Sequence, residues 1–100
     1  MVIMMNINSL QNRLVELLEK ELHLVVPAVG TDLFETGIMD SLVFVDLLML
    51  LEREFRIKID MEQIELEDFK SVEGISIFVN RQLQYVENAS RDYPQLSVVM

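Results

Sequence analysis

Apolar residues recur at helical spacing in three stretches of the chain. In the first, Leu10, Leu14, Leu17, Leu18 and Leu22 form one stripe, with Asn8 and Gln11 placed like a capping-box pair at its start. This helix must stop before Pro27, because the residue preceding a proline avoids the α region. The second stretch runs from Ser41 to Phe55. At 100° per residue, Phe44, Leu48, Leu51 and Phe55 share a narrow arc with Leu47 close beside it, which marks the core face. The third opens at Ser71, a good N-cap, and its apolar positions Val72, Ile75, Val79, Leu83 and Val86 keep the helical period.

The segments between carry their own signals. Val26 to Asp40 holds Pro27, Gly30, Gly37 and Thr31-Asp32 and reads as a long ordered loop, pinned to the core by Leu33, Phe34, Ile38 and Met39. A loop this long in a small domain is more often functional than not. Phe55 to Asp60 alternates apolar and polar residues like an edge strand. With no second strand to pair with, an extended connection that buries Ile57 and Ile59 is expected instead. Met61 to Phe69 predicts a short helical turn with Ile64, Leu66 and Phe69 facing inward. Beyond Glu87 the period is lost, which predicts a domain over residues 1–87 and a flexible tail over 88–100. The fold class is all-α: a small three-to-four-helix bundle with a long first loop.

Composition narrows the function classes. The 100 residues suit one core, and 51% apolar content is enough to build it. A net charge of −9 argues against nucleic acid, whose phosphates need Lys and Arg. The absence of cysteine removes disulfides, thiolate metal sites and a cysteine nucleophile. Every apolar run falls far short of the ~18–20 residues that span a bilayer, and the opening Met-Val-Ile-Met-Met-Asn lacks the basic region of a signal peptide. These features predict a cytoplasmic monomer with no stable membrane insertion.

The second helix is more apolar than one core face requires. Leu42, Val43, Met49 and Leu50 fall toward its outward side around Asp46. Scattered surface apolar residues need no explanation. A docking strip framed by carboxylates is the alternative, and charge placement favours it: residues 32–73 hold 12 of the 17 acids but 4 of the 8 bases. Ser41 stands at the head of this helix, directly after Asp40. Either residue there suits an N-cap, but free N–H groups and the positive dipole end would also favour an anion esterified to Ser41, by roughly 0.3–1 kcal/mol.

The run Asp32-Leu33-Phe34-Glu35-Thr36-Gly37-Ile38-Met39-Asp40-Ser41-Leu42 resembles the loop and attachment motif of acyl carrier proteins. The resemblance continues through Val45-Asp46-Leu47, Leu51-Glu52-Arg53-Glu54-Phe55, Ile57 and Ile59, then Asp68-Phe69-Lys70-Ser71-Val72 and Ile75, covering about residues 9 to 86. It implies a carrier and not an enzyme. Ser41 would receive 4′-phosphopantetheine from coenzyme A through a phosphopantetheinyl transferase, with Asp40 helping that enzyme handle its Mg²⁺ and Leu42 completing the attachment motif. The cofactor thiol would carry acyl or aminoacyl thioesters between acyl-activating or acyl-transferring enzymes, which explains a carrier without cysteine. Asp46 and Glu52 match acidic positions that meet basic partner surfaces, and Met49 matches a hydrophobic contact there. Val43 stands where many fatty-acid carriers have an acid, and Arg53 interrupts the acidic row. The apolar Leu47 to Leu51 run and the Asp68-Phe69-Lys70-Ser71-Val72 stretch look more like discrete carriers of specialised pathways, including D-alanyl carriers and stand-alone carriers in polyketide or peptide assembly. The alternative from another class is an unmodified interaction module of the same fold that holds a partner with its acidic helix.

Other constellations suggest less. His23 near the end of the first helix suits the dipole there, and nothing in the sequence places it against Ser41 for a triad. Glu62, Glu65, Glu67 and Asp68 lack the spacing of an EF-hand, so no metal site is expected. The cluster Met1–Met5 fits core packing, self-association or mobility equally well.

Overall fold

The computed structural model describes residues 6–92, with side chains through Gln84. Three helices, α1 (Ile7–Leu22), α2 (Ser41–Phe55) and α3 (Val72–Asp92), are joined by a 3₁₀ turn at Leu66–Phe69, and no strand occurs among the described residues. All three helices contact one another, so the small bundle expected from the periodicity is what forms.

The cap of α1 differs from expectation. Asn6, not Asn8, is the N-cap: its side chain accepts the Asn8 N–H at 2.8 Å, and its carbonyl accepts the Leu10 N–H at 2.9 Å. Ile7 packs against the core, so the helix starts early enough to include it. Gln11 faces α3 instead, its amide donating to the Ser76 hydroxyl at 3.5 Å. The helix ends well before Pro27. His23 turns left-handed (φ 60°), and the Leu24 N–H returns to the Leu18 carbonyl at 2.9 Å, satisfying a last-turn acceptor.

The core is built from Leu10, Leu14 and Leu18 of α1, Leu47, Leu48 and Leu51 of α2, and Val72, Ile75, Phe78 and Val79 of α3. Ile57 and Ile59 are buried by an extended connection, as their spacing predicts. Leu50 and Leu66 depart from expectation, as does Val43 of the candidate site. Leu50 was expected outward and is only 3% exposed, because α1 lies alongside α2 and widens the buried arc beyond one face. Leu66 was expected inward and is 51% exposed; Ile64 and Phe69 on either side of it take the core positions.

A file of aromatic rings ties the pieces together. Phe34 of the loop meets Phe44 of α2 at 5.7 Å, Phe44 meets Phe69 of the 3₁₀ turn at 5.3 Å, and Phe69 meets Phe78 of α3 at 4.8 Å between ring centroids. Each pair is tilted or edge-to-face, the arrangement that ring quadrupoles favour. Close approach between the 3₁₀ turn and α3 depends on Gly74, where a Cβ would lie 2.7 Å from the Asp68 carbonyl oxygen. Ser71 caps α3 as expected, its hydroxyl accepting the Gly74 N–H at 3.1 Å.

The helical period lapses at Asn88, yet α3 continues through Asp92. Residues 88–92 contain neither glycine nor proline, so nothing in the backbone chemistry stops propagation before Pro94. The rest of the expected tail and the Met1–Met5 cluster lie outside the described residues, as does the Val86 side chain.

Candidate functional site

The loop delivers Ser41 to a fixed place. Leu33 and Met39 are buried at 0% and 1% exposure, and the Met39 N–H donates to the Leu33 carbonyl at 2.9 Å. The loop is also tied to the start of α3: the Leu33 N–H donates to the Lys70 carbonyl at 2.6 Å, and the Glu73 N–H to the Val29 carbonyl at 3.0 Å. Asp32 holds the turn between these anchors, accepting the N–H groups of Phe34 and Glu35 at 3.1 and 2.9 Å. Gly37 then adopts φ 80°, a left-handed conformation that costs a residue with a Cβ about 1–2 kcal/mol.

Asp40 is extended and caps α2, its Oδ1 accepting the Val43 N–H at 2.9 Å. Its carbonyl accepts the Phe44 N–H at 2.8 Å. Ser41 is the first helical residue and is exposed, and Leu42 beside it is 78% exposed. The first-turn N–H groups of Ser41 and Leu42 point along the positive end of the helix dipole, a favourable setting for an anion. With Met39 buried on one side and Phe44 packed against the core on the other, Ser41 is exposed on a backbone anchored at both flanks.

Further along α2, Asp46 and Met49 are exposed as expected. Val43 is not outward: it is half-buried and packs against the core. Glu52 is also partly withdrawn, because its Oε2 accepts the Ile59 N–H at 2.8 Å and so holds the connection after α2. The exposed apolar residue missed at this face is Val45, 43% exposed. Its angular position was the available signal, since Leu42, Val45 and Met49 fall within about 60° of arc. Arg53, which breaks the acidic row, reaches Glu21 of α1 at 3.4 Å and Glu54 at 3.5 Å, while Arg13 reaches Glu54 at 3.3 Å and lies over the Phe55 ring.

Part of the concentration of acids has partners within the protein. Asp32, Asp40, Glu52 and Asp60 accept backbone N–H groups; Glu54, Glu67 and Asp68 are in ion pairs. Among the described residues, no group of three His, Asp or Glu side chains is placed to hold a metal. His23 sits in a shallow depression with Glu16, Glu19 and Lys20. A groove of about 620 Å³ is open and is lined by Lys58, Asp60, Ile64, Phe78 and Arg81, beyond the end of α2 opposite to Ser41. Its carboxylate, Asp60, is exposed, unlike the buried acid of an acid–base site. No described helix is long and apolar enough to cross a membrane.

A family model described as the phosphopantetheine attachment site matches residues 12–79, from the first turns of α1 to the middle of α3. The bundle and this match define the class: the chain belongs to the phosphopantetheine-attachment family, that of the acyl carrier proteins. No curated protein matches the chain. It is a non-catalytic carrier whose covalent cofactor is 4′-phosphopantetheine, served by a phosphopantetheinyl transferase and by acyl-handling enzymes. The match favours the carrier over the unmodified interaction module. An exposed serine hydroxyl at a helix start fits a phosphodiester link, and the cofactor supplies the thiol that a cysteine-free chain lacks.

Proposed function

We propose that Ser41 is the attachment residue, and that the chain holds an acyl or aminoacyl cargo as a thioester and presents it to acyl-activating or acyl-transferring enzymes. The observation that carries this reading is a comparison of three serines. Within residues 12–79 the chain has Ser41, Ser71 and Ser76. Ser71 is half-buried and engaged as the cap of α3. Ser76 is fully buried, and its hydroxyl donates to the Glu73 carbonyl at 2.7 Å. Ser41 alone of the three is exposed.

The neighbours divide the remaining work. Asp40 caps the first turn of α2, on which Ser41 stands, and its exposed carboxylate would help the transferase handle its Mg²⁺. Leu42, exposed beside Ser41, would give the attached group an apolar neighbour. Asp46 and Met49 face the partner enzyme, with Glu52 and Val43 as its margin. The departures at Val43 and Arg53 weigh against a fatty-acid carrier, and the Leu47 to Leu51 run with the Asp68 to Val72 stretch supports a discrete carrier of a specialised pathway, such as the D-alanyl type.

Incubation with coenzyme A and a broad-specificity phosphopantetheinyl transferase, followed by intact mass, tests the assignment. The parent gains the mass of one phosphopantetheine and Ser41→Ala gains none. A parent that gains nothing, or a Ser41→Ala variant that still gains it, refutes the assignment.

A further inference from the structure

The groove beyond the far end of α2 differs in charge from the acidic chain around it. It measures about 620 Å³ and lies between the connection after α2 and α3. Ile64 and Phe78 give it an apolar floor, and Lys58 and Arg81 stand exposed at its sides. Lys58 makes no ion pair among the described residues, and Arg81 is held only loosely, by Asp68 at 3.9 Å. The carboxylate in the lining, Asp60, is turned to its own backbone and accepts the Glu62 N–H at 3.0 Å. Gln63, Gln82 and Gln84 add amide N–H groups. Among the described lining residues two cations thus face one engaged acid, in a chain of net charge −9, so this is a place where an incoming carboxylate gains.

The backbone on one side of the groove adds a second observation. Residues 57–60 run extended, with Ile57 and Ile59 buried and Lys58 and Asp60 exposed. Glu52 takes the Ile59 N–H, but the N–H groups of Lys58 and Asp60 have no acceptor among the described residues. Successive N–H groups of an extended chain point to opposite edges, so these two donors lie on the edge away from Glu52. The ligand that uses such an edge is another extended chain, which pairs main chain with main chain and sends alternate side chains to different surroundings.

We propose that this groove binds an extended segment of a partner protein that carries an apolar side chain beside one or two carboxylates. The apolar group rests on Ile64 and Phe78, the carboxylates meet Lys58 and Arg81, and the segment's carbonyls accept from the free edge of residues 57–60. The rest of the segment must be neutral, because a broad acidic surface is repelled by the net charge of −9. α2 is 15 residues long, about 21 Å at 1.5 Å per residue, so a partner held here leaves Ser41 free at the opposite end. The inference goes beyond the carrier reading and does not rest on it: the groove gives the chain a second attachment that operates while Ser41 meets another protein.

The probe is the synthetic peptide acetyl-Ser-Phe-Glu-Val-Glu-Ser-amide, titrated into the ¹⁵N-labelled full chain and followed through its amide shifts. The expected result is a saturable change confined to residues 57–64 and 78–84, with a Kd below about 1 mM. A counterpart peptide with Lys in place of both Glu residues binds at least about tenfold more weakly. Lys58→Glu, whose spectrum otherwise matches the parent, weakens the acidic peptide by about tenfold. Saturating peptide leaves the transfer of phosphopantetheine to the parent at its unliganded rate. The proposal is overturned by no change at about 5 mM peptide, by changes centred on residues 41–49, by equal binding of the two peptides, or by a Lys58→Glu variant that binds like the parent. A peptide that blocks transfer overturns it too, as does a dimer in sedimentation that shields residues 58–64 and 78–84. Binding by a parent that gains no phosphopantetheine upholds this proposal and refutes the carrier reading alone.

Discussion

Asp40 links structure to function through one carboxylate. It accepts the Val43 N–H at 2.9 Å and thereby fixes the turn on which Ser41 stands. Asp40→Ala is expected to cost about 1 kcal/mol, the usual value of an N-cap, measured by urea unfolding. Glu52 poses a sharper question, because a surface acid on α2 reads as a docking charge. Its bond to the Ile59 N–H at 2.8 Å makes it a structural group as well. Glu52→Gln keeps an acceptor and should hold the parent's stability within about 0.5 kcal/mol, whereas Glu52→Ala leaves a partly buried N–H without its partner and should cost about 1–2 kcal/mol. Equal stability for the two variants would remove this role. The sequence showed Glu52 as an acid at the right helical position, but not that a backbone donor seven residues on would claim it. That contact depends on how the chain turns after Arg56, which adopts φ 55°.

At the scale of elements, the aromatic file explains how a long loop is anchored to the core. Phe69 sits at its middle, fully buried between Phe44 and Phe78. Phe69→Ala should destabilise the protein by about 3–5 kcal/mol, through lost burial and the cavity left behind. A loss below 1 kcal/mol would mean that the 3₁₀ turn is not part of the core. The helices were legible because their stripes of leucine and valine follow one period, and α2 begins and ends at the residues expected, Ser41 and Phe55. Boundaries set by other forces were not. α1 begins earlier because Ile7 finds a core contact, and α3 runs past Asn88 because helix propagation needs no apolar stripe. Leu50 was misplaced for a related reason. An arc drawn on one helix cannot show that a second helix covers its flank, as α1 does here.

For the whole molecule, the net charge of −9 is a poor guide to how many acids on the surface are free to meet a partner. Four acids between residues 32 and 73 accept backbone N–H groups and three more form ion pairs, so charge that looks like a beacon in the sequence is partly scaffold. Asp46 is the exception on α2. Asp46→Arg should slow partner association, by a margin that shrinks as salt rises, because screening weakens an exposed charge; stopped-flow rates at two salt concentrations would show it. Equal rates for variant and parent at both would exclude Asp46 from the encounter. Ser41, the proposed attachment residue, stands out in the sequence through a motif of eleven consecutive residues, and the fold leaves it exposed while it engages Ser71 and buries Ser76.

The most direct measurement is fragmentation of the transferase-treated protein in the mass spectrometer, to locate the added group along the chain. The account predicts that it resides in the fragment spanning Gly37 to Asp46, on Ser41. An added group on a fragment containing Ser71 or Ser76, or no added group at all, would contradict it.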